Sequence, residues 1–201
     1  DLAAAGLQPT VLPLIEVGAV DGPQPLDQAW RSMPHYLAAM FVSANAVEHF
    51  FSRQPGGITV FNALSSLSAR AWATGPGTVK ALLRQGAEVA WMDAPLPAAG
   101  RFDSEALWEA VRSRVQPGDR VLIVRGADDS DSVQAHDGRG AGRDWLSEQL
   151  TQAGAQVDFV VAYQRRAPAW CPQQLAQARH AATDGSVWLF SSAQALANLR
   201  R

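Results

Sequence analysis

The chain has 201 residues, 47% of them hydrophobic and 18% charged, which is enough apolar material for a packed core of one large or two small domains and excludes a disordered chain. Seventeen basic against nineteen acidic residues give a net charge of −2 with no clustered basic face, which argues against nucleic acid as a partner. A single cysteine, Cys171, excludes an intrachain disulfide, the four scattered histidines (His35, His49, His136, His180) assemble no metal-ligand spacing, and no apolar run reaches the ~18–20 residues of a membrane span.

A cytoplasmic chain with no membrane partner is therefore expected. Residues 1–5 are Ala-rich and end on Gly6, the pattern of a helix end. Starting at Asp1 without Met inside that helix predicts a fragment at this end. Residues 10–17 are β-branched and apolar around Pro13, which predicts an edge or connecting strand. A buried strand over 37–42 precedes a helix over 44–53, and a strand over 70–73 precedes a helix over 76–85 that Gly86 stops. A short strand over 87–92 follows. Asp103 and Ser104 cap a helix running to residue 114, Pro117-Gly118 turns the chain, and RVLIVR over 120–125 is a strand. A helix over 143–153, ended by Gly154, leads to a strand over 156–163. Beyond the Pro-marked stretch 168–172, a helix covers 173–182, a strand 187–190 and a helix 193–199.

Strands and helices alternating at this spacing predict a parallel, doubly wound α/β architecture. Segments 54–68 and 127–142 have no periodicity and read as surface insertions. The acidic cluster Asp128, Asp129 and Asp131 in the second has no flanking ligand frame, so it reads as a solvated loop. A weak repeat relates residues 41–47 (FVSANAV) to 190–196 (FSSAQAL): an aromatic strand end, a small hydroxyl residue, then a helix start.

In open parallel sheets, ligands bind beyond the carboxyl ends of the strands. The residues there are Ser43 and Asn45, Thr74, Gly75, Gly77 and Thr78, Arg125 and Gly126, Tyr163, and Ser191 and Ser192. Most stand at helix starts, where free N–H groups and the positive dipole end attract anions. Helix capping alone accounts for about half of them. Gly75 and Gly77 match two glycines of G-x-G-x-x-G, but Lys80 takes the third place and Pro76 separates the first two. The dinucleotide fingerprint fails, and neither a phosphate-binding G-x-x-x-x-G-K-[ST] loop nor a G-x-S-x-G elbow is present.

The segments 41–50 (FVSANAVEHF), 72–82 (WATGPGTVKAL), 103–107 (DSEAL), 120–126 (RVLIVRG), 142–150, 154–163 (GAQVDFVVAY) and 188–196 together, in this order and spacing, resemble the uroporphyrinogen-III synthase family. The resemblance implies two α/β lobes joined by a two-stranded connector. One lobe, 1–16 plus 165–201, is built from both chain ends and is incomplete. The other is continuous over 21–158, and the connectors lie at about 12–20 and 159–168. A first strand before Asp1 and a further strand-helix pair after Arg201 are implied for the complete lobe.

The implied reaction is dehydration and cyclisation of linear hydroxymethylbilane to uroporphyrinogen III with inversion of the last pyrrole ring, in tetrapyrrole (haem) biosynthesis. It needs no metal or cofactor and is implied for a monomer. By the same resemblance Tyr163 assists departure of the substrate hydroxyl. Ser43, Asn45, Thr74, Gly75, Gly77, Thr78, Arg125, Gly126, Ser191 and Ser192 would hold the substrate's acetate and propionate groups. A wet-tipped packing role for Tyr163 is about as well founded, as is a solvated strand-end role for Arg125. The competing class is a non-catalytic bilobed module that binds small anions.

Overall fold

The computed structural model describes residues 2–55, 69–95, 100–128, 141–190 and 192–200. Strands β1 (Glu16–Ala19), β2 (Ala38–Phe41), β3 (Arg70–Ala73), β4 (Met92–Asp93), β5 (Arg120–Asp128) and β6 (Gln156–Arg166) form one six-stranded sheet in the order β1-β6-β5-β2-β3-β4. Helices α1 (Gln24–Ser32), α2 (Ala44–Phe51), α3 (Pro76–Arg84), α4 (Ser104–Val111) and α5 (Ala141–Gln152) lie between the strands, and α6 (Pro172–Ala181) and α7 (Ala193–Leu199) follow the last. The chain divides into two compact units, 1–18 with 165–201, and 19–164. Strands β1 and β6 each cross that boundary.

In the unit 19–164 the pairs β2–β3, β2–β5 and β3–β4 are parallel, as the alternation of elements predicts. The Gln156 amide donates to the Asp119 carbonyl at 2.8 Å, and seven residues further along each strand the Tyr163 ring lies on Gly126. β5 and β6 therefore also run the same way. Side chains alternate between the two faces of the sheet. Ala39, Phe41, Ala71, Ala73, Leu122 and Val124 pack with Trp30 of α1, Phe50 of α2 and Leu82 of α3. Their neighbours Ala38, Met40, Trp72, Val121 and Ile123 pack with Leu107 of α4 and Leu146 of α5. Both faces are covered, which is why β2 and β5 read as continuous apolar runs.

Polar anchors close this core. Trp30 Nε1 donates to the Phe50 carbonyl at 3.0 Å. Arg70 grips Asp93 through Nε at 2.5 Å and Nη2 at 3.0 Å, and the fully buried Trp72 donates Nε1 to the same carboxylate at 3.0 Å.

Four expectations need correction. Of the stretch 87–92 only Met92 is strand: a 3-10 turn, Val89–Trp91, precedes the two-residue β4. Arg70 Nη2 takes the Ala90 carbonyl at 3.1 Å, so a side chain supplies hydrogen bonds that a neighbouring strand would otherwise give. The stretch 10–17 is strand only from Glu16. In the unit of the chain ends, the Val11, Pro13 and Leu14 carbonyls accept instead from Gln177, Trp170 and Asn198 at 3.5, 2.7 and 2.8 Å. Residues 187–190 form no strand, with Val187 and Leu189 96% and 85% exposed. Apolar composition favours a strand there, but composition alone does not supply a strand to pair with it. Residues 2–6 form turns rather than a regular helix, closed by Gly6 at φ 78°.

The repeat appears as the same cap twice: Ser43 and Ser192 each accept from the amide three residues on, Ala46 and Ala195, at 3.2 Å. Most of 54–68, and 129–140 with Asp129 and Asp131, lie outside the described residues. No helix among the described residues is long and apolar enough to cross a membrane. No group of three or more His, Cys, Asp or Glu side chains among them could hold a metal ion.

Candidate active site

The unit 19–164 gathers most of the candidate residues at the carboxyl ends of neighbouring strands, β6, β5, β2 and β3. Those after β2 and β3 are delivered by strands that stop where helices begin, whereas Arg125, Gly126 and Tyr163 lie within β5 and β6. Ser43 follows β2 in extended backbone (φ −164°, ψ 166°) and caps α2, with Asn45 in the first turn behind it. Thr74 follows β3, Gly75 caps α3, and Pro76 opens that helix with its φ already fixed and no N–H to leave unpaired. The Thr78 amide turns back to the Gly75 carbonyl at 3.1 Å. Gly77 is exposed and an added Cβ there would meet nothing within 4 Å, so its backbone is open to a ligand. Thr78 itself is 5% exposed.

Tyr163, at 4% exposure, comes up from β6. Its hydroxyl lies 3.1 Å from Ser43 Oγ, and the His49 imidazole stacks on its ring with centroids 5.7 Å apart. Gly126 of β5 lies directly under that ring. Ser43, Tyr163 and Gly126 thus form one cluster. Arg125 does not join it. Alternation along β5 sets it on the face of Ile123, opposite Gly126, where its guanidinium is buried 5.9 Å from the Phe159 ring centroid. Ser192 caps α7 in the other unit, and Ser191 lies outside the described residues.

His49 is the member that the sequence does not reveal. Its partner is remote in the chain, and a lone histidine in the last turn of an amphipathic helix reads as a surface residue. The arrangement offers a phenol on a strand, a hydroxyl beside it, and two helix starts whose first amides have no partner within the helix. Such a set suits orientation of an anionic substrate and transfer of one proton.

Similar solved structures include a mutant uroporphyrinogen III synthase from the extremely thermophilic bacterium Thermus thermophilus. It is 16% identical over 92% of this chain and 63% of that one, with a TM-score of 0.49. The wild-type enzyme in a second crystal form is 15% identical over 89% and 60%, with a TM-score of 0.41. A further Thermus thermophilus uroporphyrinogen III synthase structure gives 16% over 91% and 62%, with a TM-score of 0.40. The chain spans about three-fifths of the length of these structures. No curated protein matches it. A protein-family model described as uroporphyrinogen-III synthase HemD matches residues 1–201, the whole chain, and the chain therefore belongs to the uroporphyrinogen-III synthase family.

Proposed function

We propose that this protein converts linear hydroxymethylbilane to uroporphyrinogen III, as a cytoplasmic monomer and without a cofactor, and that Tyr163 is its proton donor. The observation that carries the reading is the Tyr163 hydroxyl in β6, part-buried and 3.1 Å from the Oγ of the serine that caps α2. Membership of the family supplies the chemistry to which that phenol is fitted.

In the proposed reaction the Tyr163 proton passes to the terminal hydroxyl of the bilane. The C–O bond breaks, its electron pair leaves with the oxygen as water, and the pyrrole nitrogen stabilises the remaining carbon as an azafulvenium cation. The substituted carbon of the last ring attacks it to give a spiro intermediate, which reopens and recloses with that ring inverted. Loss of the proton from the newly bonded pyrrole carbon restores aromaticity and reprotonates the phenolate. Atoms balance as one bilane to one macrocycle plus one water.

Direct closure of the same cation, without inversion, gives the type I isomer. The protein's larger task is therefore to hold the chain so that this closure is disfavoured, a matter of orientation more than of acid-base strength. Asn45, Thr74, Gly75, Gly77 and Thr78 at the starts of α2 and α3 would take acetate and propionate groups, with the exposed Gly77 backbone supporting this assignment. Ser192 belongs to the same proposal through the repeat of the Ser43 cap, and Ser191 with it as the preceding residue of the sequence. Arg125, buried against Phe159 on the other face, is not part of the set. The division at residues 18 and 164 supports a two-lobed organisation, with 12–20 and 159–168 as connectors.

The test is incubation of the protein with enzymatically made hydroxymethylbilane, followed by oxidation and identification of the porphyrin isomer. Type III is expected. Type I alone, as in a control without protein, overturns the reading, and binding without conversion leaves the anion-binding module.

A further inference from the structure

Three residues from two elements hold the Tyr163 ring. A Cβ added at Gly126 would stand within 2.9 Å of Cε1, Cε2 and Cζ, closer than real Cβ contacts, so the ring occupies the space in which any other residue would carry its side chain. A ligand approaching that backbone would meet the ring instead. His49 stacks on the ring with an interplanar angle of 29°, at a separation at which aromatic rings attract. Ser43 Oγ faces the hydroxyl at 3.1 Å and also accepts from the Ala46 amide at 3.2 Å.

A serine hydroxyl has one proton and two lone pairs. If Tyr163 donated to Ser43, its proton would be spent inside the protein. If Ser43 donates to the Tyr163 oxygen, the phenolic proton is left for substrate. We propose that Ser43, His49 and Gly126 are positioning residues that hold Tyr163 with its proton turned outward, through the series Ala46 N–H to Ser43 Oγ, Ser43 O–H to Tyr163 oxygen, Tyr163 O–H to substrate. Each bond in such a series polarises the next, and the positive end of α2 acts in the same direction. The inference rests on the reading of Tyr163 as proton donor. It assigns Ser43 and Gly126 to the tyrosine instead of to substrate carboxylates.

The chain has two tyrosines, Tyr36 and Tyr163, so the protein made with 13C-labelled tyrosine gives two sets of ring signals, and Tyr36→Phe assigns them. Gly126→Ala should displace the Tyr163 signals and lower kcat by about 10²-fold, the scale of a misplaced catalytic group, while KM stays near its wild-type value. His49→Leu should lower kcat and broaden or shift the same signals, and His49→Phe, which keeps a stacking ring, should recover most of both. Ser43→Ala should lower kcat without raising KM.

A raised KM at unchanged kcat in Ser43→Ala would make Ser43 a substrate contact and overturn the proposal. Wild-type Tyr163 signals in Gly126→Ala, or equal behaviour of His49→Phe and His49→Leu, would overturn it as well. Should Gly126→Ala fail to fold, the two His49 variants decide. If the wild-type protein forms no type III product while these variants still displace the Tyr163 signals, the proposed reaction fails and the seat around Tyr163 stands.

Discussion

The two tyrosines of the chain sit at opposite ends of the same sheet and are held by different chemistry. Tyr36 stands just before β2, with β5 and β6 beginning beside it. Its hydroxyl donates to Asp158 Oδ2 at 3.0 Å, Arg120 Nη2 donates to the same oxygen at 2.6 Å, and the guanidinium lies 4.8 Å above the phenol ring centroid. Burial, then the hydrogen bond to Asp158 and the charge of that carboxylate, push the Tyr36 pKa up to about 12. Tyr163, at the strand ends, is equally buried but faces a neutral serine that can itself be the donor. A carboxylate engages the phenolic proton and ties strands together, whereas a serine that acts as the donor leaves that proton available. The starts of the strands close the fold, and their carboxyl ends are left for chemistry.

Exchanging these tyrosines one at a time breaks the comparison if it is wrong. Tyr163→Phe should cost ~10²–10⁴-fold in turnover, the usual range for one proton-transfer group, and Tyr36→Phe should leave turnover unchanged. Steady-state rates on hydroxymethylbilane check both. A purely structural pair sets the scale beside them. Asp93→Ala removes the acceptor of the buried Trp72 indole N–H and leaves the largely buried Arg70 guanidinium with backbone carbonyls alone. It should lower unfolding free energy by about 3 kcal/mol in urea titrations.

Tyr36 also makes stability depend on alkaline pH. Its folded pKa is raised from 10.0 to about 12, so the unfolded state loses the proton first. The contribution is fully present below pH 10 and is lost as pH rises toward 12. About 2 kcal/mol should disappear across that window in urea titrations, and Tyr36→Phe should abolish this part of the slope. The smallest effect concerns product identity: Thr78→Ala, which removes a hydroxyl at the start of α3, should release a mixture in which type I accompanies type III.

The sequence discloses the parts of this fold in which local signals and tertiary packing agree. β2 and β5 are apolar because both faces of the sheet are covered, and Ser43, Asp103 and Ser192 cap their helices as their residue types suggest. Helix α1 is not legible, because Pro23-Gln24-Pro25 at its start resembles a turn, although proline is well tolerated in the first turn of a helix. The stretches 10–17, 87–92 and 187–190 are misread for a common reason. Composition reports that a segment suits an extended backbone, but not whether a neighbouring strand is there to bond it, and Trp170, Asn198 and Arg70 side chains take carbonyls in the first two.

At the site, Ser43 does follow β2 as its position suggests, whereas Gly126 and Tyr163, read as following strands, lie inside the longer β5 and β6. Position after a strand does not disclose that these three touch one another, that His49 completes the cluster, or that alternation turns Arg125 away. The contacts depend on the register of β5 against β6 and on the placement of α2, which no single-strand pattern carries, whereas the alternation that turns Arg125 away is a pattern of β5 alone.

The most direct test separates holding the substrate from protonating it. Tyr163→Phe is mixed with hydroxymethylbilane at protein in excess, so that substrate is bound before it closes by itself, and the porphyrin isomer is followed through a single turnover. The account predicts a slow reaction whose product is type III. A fast reaction at the wild-type rate would reduce Tyr163 to packing, and slow release of type I alone would contradict the claim that shaping of the substrate is independent of the tyrosine proton.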